Sequence, residues 1–156
     1  MADADPSTLS IFSHISQAIT WLLVIIGWYI VDGRQNARET RKELKAELDS
    51  LITAIECIVD SATTFHTASQ QDKSASSNIK YRLRVVSNGI SLLKARGVNI
   101  KSEFLVKFRQ ACTLNNFDTN RFRQQPPNSM LIHNIQSTGQ DLIFSLQRTF
   151  ISKYTD

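Results

Sequence analysis

Side chains able to bind a metal, attack a carbonyl or carry a proton are sparse and scattered in this chain. The three histidines, His14, His66 and His133, stand far apart. None lies three or four residues from another His, a Cys or an acid, the spacing by which one helix face offers two ligands to a metal. Cys57 and Cys112 show neither metal-like spacing nor a disulfide framework, and the sequence predicts two buried thiols in a reducing compartment. No two of Gly27, Gly33, Gly89, Gly97 and Gly139 form a phosphate-cradling loop. No nucleophile can be matched with a base. The expectation is a protein that is not an enzyme and uses no metal or cofactor.

The chemistry that does stand out is charge. Residues 73–123 hold 11 basic side chains, Lys73, Lys80, Arg82, Arg84, Lys94, Arg96, Lys101, Lys107, Arg109, Arg121 and Arg123. They hold only 2 acidic ones, Glu103 and Asp118, for a net +9, whereas residues 1–72 carry a net −5. A block of this kind suits an anionic ligand (a nucleotide or nucleic acid) or the anionic inner leaflet of a membrane. Lys80, Arg82, Arg84, Lys94, Arg96, Lys101, Lys107, Arg109, Arg121 and Arg123 are the candidates for that contact. The plainer alternative is that they face the acidic first helix, where Glu39, Glu43, Glu47, Asp49, Glu56 and Asp60 are available. Phe104, Phe108, Phe117, Phe122 and Tyr81 lie among the cations; base stacking would need such rings exposed, and Phe104 and Phe108, at helical spacing, suit a core instead.

The elements that must position these groups are helical. Three prolines and five glycines in 156 residues leave few breakers, and 42% hydrophobic with 21% charged content is that of a folded chain. Leu44, Leu48, Leu51, Ile55, Ile58, Ala62 and Phe65 recur at spacings of 4, 3, 4, 3, 4, 3, and Ile52 and Val59 widen this stripe into a bundle face. Residues 67–78, TASQQDKSASSN, read as a polar linker. Ile79, Leu83, Val86, Ile90 and Leu93 mark a second helix ending at Gly97. Ser102 and Glu103 open a short third helix with Phe104, Leu105, Phe108 and Cys112. After an amide-rich loop closed by Pro126 and Pro127, Ser129 caps a last helix with Leu131, Ile135, Leu142, Leu146 and Phe150, in which Gly139 costs about 1 kcal/mol relative to alanine. The helix–glycine–helix around Gly97 has the rhythm of a DNA-binding helix-turn-helix, but Glu103 stands where that motif needs an apolar residue.

Upstream, Pro6 to Val31 contains no formal charge over 26 residues, and Ile15 to Val31 is strongly apolar. Seventeen helical residues span about 26 Å, slightly under the roughly 30 Å hydrocarbon core. A secretory signal peptide is excluded by the acidic start, Asp3 and Asp5, and by the lack of a small-residue cleavage site. A core helix of a soluble protein competes less well than a single membrane span. Trp21, Trp28 and Tyr29 are rings suited to the membrane interfaces. Arg34, Arg38, Arg41, Lys42 and Lys45 follow the span and no cation precedes it, which places the amino terminus outside and the bulk of the chain in the cytoplasm.

The fold expected is all-α: one N-terminal transmembrane helix continuing into a small cytoplasmic antiparallel helical bundle of about four helices. The divisions are a short external tail (1–14), the transmembrane helix (15–33), a juxtamembrane stalk with the first bundle helix (34–66), the polar linker (67–78) and the remaining bundle (79–156). The function expected is a single-pass bacterial inner-membrane protein whose cytoplasmic domain binds a protein partner without catalysis. One alternative is a homo-oligomeric effector that perturbs the membrane when an anionic ligand, such as a nucleotide, occupies the basic face. In overall plan, though in no motif, that is similar to small membrane-anchored effectors of bacterial phage defence. Another alternative is a soluble helical nucleic-acid-binding protein. The partners implied are the lipid bilayer, further copies of the chain, and an anionic ligand or a cytoplasmic protein.

Overall fold

The computed structural model describes residues 6–114, 116, 117, 119 and 121–155; before residue 38, side chains are described only at residues 17 and 19–28. Within these residues the chain is all-helical, with α1 (Pro6–Thr67), α2 (Lys73–Ala95), α3 (Ser102–Thr113) and α4 (Met130–Thr155). It divides into two compact units, residues 1–43 and 44–156, and α1 contributes to both.

The second unit is a helical bundle around a single apolar core. The 4-3-4-3 stripe of α1 supplies Leu44, Leu48, Leu51, Ile55, Ile58, Ala62 and Phe65, all buried. Helix α2 adds Ile79, Leu83, Val86, Ile90 and Leu93, and α4 adds Ile132, Ile135, Leu142, Leu146 and Phe150. Helix α3 contributes Phe108, Ala111 and Cys112 and packs chiefly on α4; its meeting with α2 is much slighter. That difference leaves a cleft between α2 and α3.

Helix ends follow local chemistry. Asp72 caps α2, its carboxylate accepting from Ser74 N at 2.8 Å and Ala75 N at 3.0 Å. Only residues 68–72 are therefore non-helical between α1 and α2, and the linker expected over 67–78 is mostly helix. At the other end Gly97 takes φ +85, so that Gly97 N donates to Lys94 O and Val98 N to Leu93 O, a Schellman closure with Val98 and Leu93 both buried. Helix α3 begins at Ser102, but its cap position is Lys101, which makes no side-chain capping bond. Ser129 precedes α4, and its Oγ accepts from Ile132 N at 3.4 Å.

Two expectations need correcting. Cys57 is exposed rather than buried and lies off the core stripe; Cys112 is buried. The second concerns the amino-terminal span. Among the described residues no helix is long and apolar enough to cross a membrane, so the transmembrane helix expected over 15–33 has no support from the structure. Residues 1–5 of the expected external tail, and the side chains of Ile15, Ser16, Ala18 and residues 29–33, Tyr29 among them, lie outside the described residues.

Candidate functional site

The ten candidate cations fall into distinct settings. Arg96, at the end of α2, is ion-paired with Glu47 of α1 at 2.8 Å. Arg82 bonds Asn78 Oδ1 at 2.8 Å and lines the α1–α2 groove with Asp60 and Asp72, which balance it. These two fit the reading in which basic helices answer the acidic first helix. Lys101 lines a cleft beside α4 with Arg148, again accompanied by an acid, Asp141. Lys94 and Lys107 are exposed on their helices, and Arg121 and Arg123 are exposed in the loop before α4.

Lys80, Arg84 and Arg109 are brought together. They line the cleft between α2 and α3, with Ser87, Thr113 and Phe117, around a volume of about 410 Å³. Lys80, Arg84 and Ser87 stand one helical turn apart on the same face of α2. Arg109 and Thr113 have the same relation on α3. Leu83 and Phe117, both buried, close the base. None of the seven lining residues is acidic. A concavity lined by one sign of charge focuses potential and concentrates counter-ions.

Behind this cleft lies a polar cluster that holds the loop 114–125 to the end of α1. His66 is fully buried. Its Nε2–H donates to Cys112 O at 3.0 Å, which leaves Nδ1 to accept from Asn116 Nδ2 at 3.2 Å. Asn116 also clamps Arg123, donating to its carbonyl at 2.8 Å and accepting from its N–H at 3.1 Å. Gln125 N donates to His66 O at 2.8 Å. Burial pushes the His66 imidazole below its ordinary value of 6.5, opposed in part by the bond to Cys112, so the ring is held neutral. Burial likewise pushes the Cys112 thiol up to about 12. The rings of Phe65, Phe117 and Phe122 pack beside this cluster, with Phe65–Phe117 centroids 4.7 Å apart and Lys80 Nζ 5.8 Å from the Phe117 centroid.

Among the described residues no group of three or more His, Cys, Asp or Glu is placed to hold a metal ion. Trp21 and Trp28, the described interface candidates, are 64% and 80% exposed on α1. Ser87 and Thr113 were missed by sequence reasoning. Their only sequence signal is spacing, seven residues after Lys80 and four after Arg109. Comparison with protein-family models, with curated proteins and with solved structures found no match.

Proposed function

We propose that this protein is a non-catalytic, single-pass membrane protein of bacterial inner-membrane type. In this reading residues 15–33 lie in the bilayer with the amino terminus outside, and the helical bundle is a cytoplasmic interaction domain. One observation carries it: every large apolar side chain described from Ile19 to Trp28 is between 46% and 80% exposed. Trp21, Leu22, Leu23, Val24, Ile25 and Ile26 are consecutive, and six successive helical residues cover the whole circumference at 3.6 per turn. A helix made to pair with one partner would present a single stripe. One that is apolar on every side belongs in a large protein core or in lipid. Covering these side chains is worth on the order of 10 kcal/mol.

The test is carbonate extraction of the full chain against the double variant Leu23→Asp, Ile26→Asp. Each buried carboxylate opposes insertion by about 3 kcal/mol. The native chain is expected in the pellet and the double variant in the supernatant. A native chain that is soluble without detergent overturns the reading. A second reading, the ligand-gated homo-oligomeric effector, is favoured by the acid-free basic cleft, and it predicts a cross-linkable oligomer whose expression depolarises cells.

A further inference from the structure

We infer that the α2–α3 cleft is a binding site for the phosphoryl groups of a small soluble ligand, with Arg84 and Arg109 as its two principal contacts and Lys80, Ser87 and Thr113 completing it. The inference stands on the bundle alone and does not depend on the anchor.

The charge arrangement is the first support. In the other cation-bearing grooves of the bundle an acid stands beside the base, Asp60 and Asp72 with Arg82, Asp141 with Lys101 and Arg148. The α2–α3 cleft instead gathers three cations without one acidic lining residue. Like charges in a shared concavity repel one another, and a bound anion relieves that repulsion. Chemistry is the second support. Guanidinium groups present paired N–H donors that match two oxygens of a phosphoryl group, and the hydroxyls of Ser87 and Thr113 add neutral donors at the same wall. Size is the third. Lys80 to Ser87 runs about 10 Å along α2, enough for more than one phosphoryl group. A volume of about 410 Å³ takes a small molecule and not a nucleic-acid duplex.

The recognition is of phosphate rather than of a base. Phe117 is buried at 8% exposure, and Lys80 Nζ sits over its ring, so that no free aromatic face is offered for stacking.

The experiment is thermal unfolding of the full chain in phosphatidylcholine discs, titrated with inorganic pyrophosphate against sodium chloride at matched ionic strength. A ligand that binds only the folded state raises the melting temperature in a saturable way. The rise is expected to need about tenfold more pyrophosphate in Arg84→Gln and in Arg109→Gln. Lys94→Gln and Lys107→Gln, which remove the same charge outside the cleft, are expected to leave it unchanged. Equal weakening in all four variants, or no saturable rise in the native chain, overturns the site. So does a lower melting temperature of either arginine variant without pyrophosphate, since that arginine would then serve the fold. Stabilisation that depends on Arg84 and Arg109 but appears only with phosphatidylglycerol in the discs overturns the soluble ligand in favour of a lipid headgroup.

Discussion

His66 and Gly139 show how single residues commit this bundle. The ring of His66 has its two nitrogens engaged in opposite senses, Nε2 donating to Cys112 O and Nδ1 accepting from Asn116. A second proton on Nδ1 would face the Asn116 amide hydrogens, and Asn116 is kept from turning over because its Oδ1 accepts from Arg123 N. The folded-state pKa is lowered below 6.5, so the unfolded chain binds more protons beneath that pH. The His66 contribution is thus fully present above pH 6.5 and is lost as pH falls from there towards the folded-state value. Urea unfolding is expected to lose up to about 1.4 kcal/mol per pH unit from this ring in that window. His66→Gln should remove that part of the slope; an unchanged slope would mean that the ring is not held neutral. At Gly139 the backbone itself is the constraint. A methyl group there would lie 2.6 Å from Val59 Cγ2 and 3.3 Å from the Phe108 ring. Gly139→Ala gains about 1 kcal/mol of helix propensity and meets an overpacking penalty of about 1–3 kcal/mol. Net destabilisation is expected, with Val59→Ala in the same chain restoring most of it. A more stable Gly139→Ala protein would contradict the close approach of α4 to α1.

At the scale of elements, the stripes of α1, α2 and α4 were legible because helical periodicity is local: residues three and four apart share a face whatever the rest of the chain does. Leu44 through Phe65 and Ile79 through Leu93 are buried in the rhythm the sequence displays. The start of α2 was less legible. Its first turn, Lys73 to Ser76, has almost no apolar content, and its placement depends on a carboxylate, Asp72, whose capping bonds stabilise a turn that periodicity does not mark. The third helix was visible, but its packing was not. Phe108 and Cys112 recur as any helix stripe would, and nothing in their spacing says that they lie against α4 in preference to α2.

For the whole molecule the thiols offer a reporter of topology. Cys57 is exposed, while Cys112 is buried with its thiol pushed up to about 12, and maleimides react with accessible thiolates. With the bundle on the cytoplasmic side, a membrane-impermeant maleimide is expected to leave intact cells unlabelled. After permeabilisation it should modify one site, which Cys57→Ser abolishes. Labelling of intact cells would invert the proposed orientation. By itself the sequence determined the helical class, the core stripes, the uncharged amino-terminal stretch and the +9 block, because each is a property of neighbours along the chain. Only the tertiary structure decided which cations matter together. Arg96 finds Glu47 49 residues away, Arg82 falls beside Asp60 and Asp72, and Arg84 meets Arg109 across a cleft that acids do not line. Those outcomes depend on which helix faces oppose one another, and that is set by long-range close packing such as Gly139 against Val59, which leaves no local trace.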